Sequence, residues 1–314
     1  MLLDKISIRA IAVADNKVFY AGNKNRIGSI NLEDKSKNEI TIVKDSLALE
    51  FRSLAQTKDA IFVLNIGNSA LLYKFSKDLK MQKVVYEERH EKVFFDSMQF
   101  WNNQEGIAIG DPIADCLNII ITRNGGETWA KVPCEKLTKT IDGEAAFAAS
   151  NTNIVVKNNR TWVVSGGKKS RVFFSDDKGI SWKVYETPIV QGEAMTGIFS
   201  ADFYDSKIGF IAGGNYDKPE QNFQNKAITI DGGKTWKLVG ENKGYGYASC
   251  VQFVPKSNGK QLVCVGATGI FYSNDFGENW QLLSDDKSLY TLRFIDSKTA
   301  IAAGKDKIIR LKFE

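Results

Sequence analysis

Hydrophobic and polar positions alternate along this chain in short steps. "IRAIAVA", "KVFYAGN", "AIFVLNI", "DSMQFWN", "NIIITR", "RTWVVSG", "RVFFSD", "QLVCVG", "TLRFID" and "KIIRLKF" are each six or seven residues of alternating or continuous apolar character, bounded by Gly, Asn, Asp or Lys. A two-residue period in segments rich in Val, Ile and aromatics predicts strands, and the bounding residues predict tight turns. Few stretches hold a helical period, so the expected class is all-β. An apolar strand ending in glycine recurs seven times, at Gly22, Gly67, Gly110, Gly166, Gly213, Gly266 and Gly304, at intervals of 45, 43, 56, 47, 53 and 38 residues. That spacing suits one four-stranded propeller blade. In the third unit, strand a is "DSMQFWN", b "GIAIG", c "NIIITR" and d "TWAKV". The expected architecture is a single domain over 1–314, a seven-bladed β-propeller with four antiparallel strands per blade. Its units run 8–45, 51–88, 95–133, 144–187, 196–239, 248–284 and 289–313. The last unit lacks its fourth strand, and residues 1–6, "MLLDKI", are expected to supply it, closing the ring and covering an exposed strand edge.

A second repeat sits at the c–d turns: "TRNGGETW" (122–129), "SDDKGISW" (175–182), "TIDGGKTW" (229–236) and "SNDFGENW" (273–280). The central side chain, Asn124, Asp177, Asp231 or Asp275, is placed to accept backbone N–H hydrogen bonds, and the glycine supplies φ > 0. The closing Trp129, Trp182, Trp236 or Trp280 is expected to pack, mostly buried, between sheets. These boxes read as structural clips. Repetition around a ring aims them in different directions, and Asn124 is not an ionisable metal ligand.

The boxes resemble the Asp-box, or BNR, repeat of sialidase-like propellers. The whole rhythm is similar to bacterial photosystem II stability/assembly factor-like proteins, as are "MQFWNNQEGIAIGDP" (98–112) and "GEAAFAASNTNI" (143–154). The resemblance implies a propeller and an exported or envelope-associated bacterial protein. It specifies the fold strongly and the activity hardly at all.

Composition narrows the function classes. The sequence has 42 Lys+Arg against 37 Asp+Glu, scattered singly, which argues against a dedicated nucleic-acid surface. No apolar run reaches the roughly 18 residues of a membrane span, and the first ten residues do not read as an export signal. His90, in the polar linker "YEERHEK", is the only histidine, which removes His-based metal sites and nucleophile pairs. No glycine-rich dinucleotide fingerprint is present, so no cofactor and no metal is expected. Cys116 and Cys134 flank the third unit's c–d turn, and Cys250 and Cys264 flank the sixth unit's a–b turn. Each pair is placed to face across a hairpin, as buried thiols or as disulfides, and neither has the CxxC spacing of a zinc site.

The remaining candidate is the channel mouth, on the face opposite the boxes, where chain enters strand a or leaves strand b. Arg9, Arg26, Arg52, Asp96, Asp111, Glu144, Lys168, Arg171, Tyr247 and Tyr290 are expected to converge there as a ligand-binding surface. The function expected is non-catalytic binding or assembly, by a monomer, of a protein, peptide, glycan or anionic ligand. The alternative is a sialidase-like glycoside hydrolase, with Arg9, Arg52 and Arg171 clamping a carboxylate beside Tyr247, Glu144 and Asp96.

Overall fold

The computed structural model describes residues 2–44 and 47–313. Met1 of the expected closing strand, Asp45 at the end of the first expected unit and Glu314 at the end of the domain lie outside them. Among the described residues, apart from a 3₁₀ turn at Cys134–Lys136, every regular element is a strand. The third sequence unit shows the basic repeat: Phe95–Phe100, Gly106–Gly110, Asn118–Thr122 and Ala130–Lys131 pair in chain order as one antiparallel sheet. Apolar faces of neighbouring sheets make the core. Phe62, Leu64 and Leu72 of one sheet, for example, pack on Phe95, Met98 and Ala108 of the next.

The expected count of seven separate blades is corrected to six hydrogen-bonded sheets among the described residues, four of four strands and two of six. The physical reason is a shared strand. Leu2–Ala14 is continuous: Leu2, Leu3 and Ser7 pair with Ile308, Lys307 and Lys305, while Ile8 to Ala14 pair with Gly22 to Lys17. The last and first sequence units therefore fuse into one sheet, and the chain's two ends are hydrogen-bonded to each other. In the other six-stranded sheet, Glu144–Ala145 and Gly166–Gly167 extend the unit that starts at Thr196–Phe203. The fourth unit's own first strand is Ile154–Lys157, ten residues later than expected, so Glu144 opens the added strand and not the first strand of the fourth unit.

The recurring glycines mark a close backbone approach. Where a unit's first strand passes the end of its second, the register slips, as at Ile198/Ser200 and Leu289/Thr291. Such a bulge pushes a carbonyl toward the neighbouring chain. A Cβ at Gly213 would lie 1.9 Å from the Gly197 oxygen, and one at Gly304 would lie 1.9 Å from the Ser288 oxygen. Gly67 differs, because nothing lies within 4 Å of its Cβ position.

The boxes are clips, as their sequence suggests. In the third box, Asp231 accepts hydrogen bonds from the N–H groups of Lys234 and Thr235, both at 3.0 Å, and from the hydroxyls of Thr229 and Thr235 at 2.8 and 2.7 Å. Burial pushes its carboxyl up, but these donors outweigh it and hold the pKa at about 2. Asp177 and Asp275 repeat the pattern, and Asn124 repeats it through Thr128. Each box also receives or supplies a backbone bond to the a–b turn of its own unit, as in Gly125 N–H to Gln104 O and Gly232 N–H to Lys207 O. Trp129 is buried, and Trp182, Trp236 and Trp280 keep some exposure while packing against the clusters between sheets. The latter three lie against the surface turn and donate their indole N–H to the box glycine carbonyls of Gly179, Gly233 and Gly277.

Cys116 and Cys134 form a disulfide, with Cα atoms 5.8 Å apart. Cys250 and Cys264 are buried free thiols. Cys250 opposes Val265 and Val251 opposes Cys264, so the two thiols stand on opposite faces of one hairpin, in different core clusters.

Replacing Gly213 by Ala is expected to destabilise the protein by about 1–3 kcal/mol, since backbone must move to admit the methyl group. Gly67→Ala should stay within about 0.5 kcal/mol of wild type. Thermal or denaturant unfolding of the two variants checks this; equal losses would refute the close-approach account.

Candidate functional site: the plugged channel mouth

The segment Ala148–Asn153 crosses the middle of the ring. Its Ser150, Asn151, Thr152 and Asn153 are polar yet almost wholly buried, a placement that requires hydrogen-bond partners. First strands round the ring supply them for Ser150, Asn151 and Thr152, whereas the side-chain amide of Asn153 is buried without a partner. Arg9 Nη1 donates to Ala149 O at 3.1 Å, Asn151 Nδ2 to Leu54 O at 2.7 Å, and Met98 N–H to Asn151 Oδ1 at 3.0 Å. Thr152 shares a hydrogen bond with Ser200, Ser150 donates to Ser249 O, and Thr291 and Arg293 donate to the carbonyls of Ser150 and Asn151. The channel is therefore plugged, and the accessible surface at the mouth is a shallow face with clefts on it. Sequence reading noticed this stretch only as part of "GEAAFAASNTNI". The signal available was its run of four uncharged polar residues between apolar segments.

One cleft, of about 310 Å³, lies over the plug and includes Arg9, Tyr216, Tyr247, Lys287 and Tyr290. The Arg9 guanidinium sits 4.2 Å from the centre of the Tyr290 ring, and Tyr216 meets Tyr247 edge-on at 5.2 Å. Arg9 Nε is buried without a hydrogen-bond partner. Cationic groups against tyrosine faces give a surface that receives both apolar and hydrogen-bonding groups. Tyr216 and Lys287 were not among the expected residues, because both lie in connecting loops whose length hides which face they reach.

A second cleft, of about 480 Å³, runs between the Asp111–Asp115 loop and the Thr140–Ala145 segment. The disulfide helps to shape it, since Cys116 and Cys134 flank Asp115, whose carbonyl accepts the Thr140 N–H. Asp111 accepts a hydrogen bond from Ala146 N–H at 2.8 Å. Asp96 is fully buried next to it, and neither of its carboxyl oxygens has a hydrogen-bond partner. Burial raises the Asp96 pKa, repulsion from Asp111 raises it further, and nearby Arg52 pulls it back. Burial also lifts Asp111, to about 7, against the Ala146 hydrogen bond.

The expected ligand residues thus divide. Arg9, Tyr247 and Tyr290 meet in the first cleft, and Asp111 and Glu144 line the second. Arg52, bonded to Glu50 at 2.7 Å, lies close enough to both Asp96 and Tyr247 to influence them. Lys168 is exposed beside Gly143. Arg26 does not join either cleft: it binds Asp4 on the closing strand and Glu39 on the outer strand Lys37–Thr41, 2.8 Å away, and so ties the fused sheet together. Arg171 is buried in a two-pronged pair with Glu144, which also accepts from Ser165 Oγ at 2.6 Å. That pair is committed to the fold. Tyr247 lines the first cleft, whereas Glu144 lines the second.

Comparison with known proteins is consistent with this architecture. The BNR/Asp-box repeat model matches residues 271–282, around the fourth box. No curated protein sequence matches the chain. Among solved structures, one described as YCF48 bound to D1 peptide superposes with a TM-score of 0.72 at 11% identity, over 100% of this chain and 96% of that one. YCF48 from Cyanidioschyzon merolae gives 0.69 at 12% identity, over 98% and 96%. A structure of RRP9 WD40 repeats gives 0.70 at 11% identity, over 99% and 95%. At such identities the likeness is one of fold: the chain is an all-β propeller built from antiparallel four-stranded units.

Two outcomes follow for the charged groups. A carboxyl whose folded pKa lies above its unfolded value binds more protons in the native state, so stability falls as pH rises from the unfolded toward the folded pKa. Asp96 and Asp111 both have this sign, with 3.8 as the ordinary value and about 7 for folded Asp111. Asp96→Asn should therefore raise the melting temperature at about pH 8 and change it little near pH 4. A uniform shift at both pH values would contradict this. Arg171→Ala, by contrast, leaves Glu144 buried and unpaired and should cost about 3–5 kcal/mol, measured by denaturant unfolding.

Proposed function

We propose that the plugged mouth is a non-catalytic binding surface for an extended segment of a protein partner. The observation that carries this reading is the Arg9–Tyr216–Tyr247–Tyr290 cleft. It offers tyrosine rings and a half-buried guanidinium stacked on one of them, on a face whose channel is sealed, so a ligand has to lie across the mouth. Rigid aromatic and arginine side chains are the residues that dominate interface energetics. The description of one fold neighbour as bound to a peptide supports the same reading. A buried plug and a paired, closed ring give the surface a fixed shape, which lowers the ordering cost of binding. The Cys116–Cys134 disulfide favours an oxidising compartment, in keeping with an exported protein acting as a monomer.

Photo-crosslinking from the source cells tests the proposal. A benzoylphenylalanine at position 216 is expected to capture a defined protein, and capture should fall at least about tenfold when Arg9 and Tyr290 are both replaced by Ala, with folding retained, as expected for hot-spot loss. The same probe placed at position 230, on the exposed box face, should capture nothing comparable. Equal capture from both faces, or capture insensitive to the double substitution, would overturn the reading.

A further inference from the structure

The second cleft combines two kinds of surface. Pro112, Ile113, Ala114 and Ala145 give it apolar walls, and Asp111, Asp115, Asp142 and Glu144 give it carboxyl groups. Their commitments differ. Glu144 is held by Arg171 and Ser165, and Asp115 is paired with Lys139 at 2.6 Å. Asp111 holds a single backbone hydrogen bond and no cation, and Asp142 has no ion-pair partner among the described residues. Against Asp111 stands Asp96, without solvent exposure and with both oxygens unbonded, a costly arrangement for a carboxyl group. Among the described residues Asp111 is thus a carboxyl with one hydrogen-bond donor and no ion-pair partner at the end of an apolar slot, with a second carboxyl behind the lining.

We propose that this cleft receives a lysine side chain of the bound protein segment, its methylene stem along Pro112, Ile113 and Ala145 and its ammonium on Asp111. The inference rests on the peptide-binding reading above. Lysine fits because its stem is apolar and its charge compact, so the walls and the acidic end are both used. A calcium ion fits poorly. It requires six to eight oxygen ligands, whereas Asp115 and Glu144 already serve Lys139 and Arg171.

Charge accounting gives the pH dependence. The groups facing Asp111 are Asp96 from the neighbouring strand, Arg52 behind Asp96, Lys92, Asp115 and Asp142 around the rim, and Glu144 with Arg171 on the opposite wall. An ammonium group favours the ionised form of Asp111, so binding releases a proton where Asp111 is still protonated. Affinity should then rise with pH through about 7, the Asp111 value.

The test uses the full chain, isotope-labelled, with its amide signals followed by NMR during titration with an acetylated, amidated pentapeptide of alanines around one central lysine. Saturable shifts are expected at Asp111 and Ala146. They should weaken at least about tenfold when lysine is replaced by norleucine or acetyl-lysine, and affinity should increase about tenfold or more between pH 6 and 8. Asp111→Asn, which keeps an acceptor for the Ala146 N–H, should abolish the shifts. Asp142→Asn on the exposed rim should weaken them and serves as the second variant should Asp111→Asn fail to fold. Equal binding of the norleucine peptide, undiminished binding by Asp111→Asn, or the same shifts with calcium chloride alone would each overturn the inference. If peptides move only the Arg9 cleft signals, the lysine assignment fails while the binding reading stands. If no peptide moves either cleft and the crosslinking also fails, both fall.

Discussion

The hydrogen bonds that anchor Ala148–Asn153 in the channel are the constraint on which the rest of the architecture turns. A propeller's first strands surround a space too wide for side chains alone to fill, and they leave polar backbone facing it. In this protein one buried segment bonds to backbone groups of Leu54, Met98 and Ser249 and accepts from the side chains of Arg9, Thr291 and Arg293, so that it is tied to first strands all round the ring. Those that are fully buried, such as Asn151 to Leu54 and Thr291 to Ser150, have a low-dielectric setting, in which an unmet partner costs most. The plug therefore locks the relative positions of the sheets and converts the mouth from a pore into a platform.

On that platform charge is sorted. Arg9 and Lys287 stand with tyrosines on one side, and Asp111 and Asp142 line the other, with Arg52 near enough to both groups to sense Asp96 and Tyr247. The separation gives the mouth an electrical polarity. A segment laid across it, as proposed, would meet a cationic aromatic patch and then an acidic slot, which would fix direction as well as position. Electrostatic complementarity of this kind sets register and suppresses wrong partners more than it adds raw affinity.

The fold was legible because its signals are local and repeated. Gly213 and Gly304 mark backbone crowding that recurs in every unit but the second, and Asp231 with Trp236 marks a turn whose hydrogen bonds lie within eight residues of chain. The sheet count was less so, since nothing in "LLDKI" shows that it runs unbroken into the next unit's first strand. The site was legible only in part. Arg9, Tyr247, Tyr290 and Asp111 follow from their places beside repeat landmarks, whereas Arg26 and Arg171 look equivalent in sequence and are spent on Glu39 and Glu144. Whether an arginine is free depends on an acid that is distant in sequence, and no period reports it. Tyr216 and the plug were missed for a related reason: they belong to loops, where the repeat carries no information.

The shared strand Leu2–Ala14 has a consequence in time. Its first residues pair with Lys305–Ile308, almost the full length of the chain away, while its later residues pair with Lys17–Gly22 nearby. During synthesis from the N-terminus the near half of the strand finds its partner early, but the far half has to wait for the last strands to appear. The plug waits too, because the Thr291 and Arg293 donors for Ser150 and Asn151 arrive in that same final stretch. Closure and plugging are thus set to coincide. Contacts of such long sequence separation are slow to form, so the nascent chain carries an unpaired edge and an unsatisfied polar interior until the final strands arrive. A ribosome-bound chain lacking them would be open, sticky and in need of shelter.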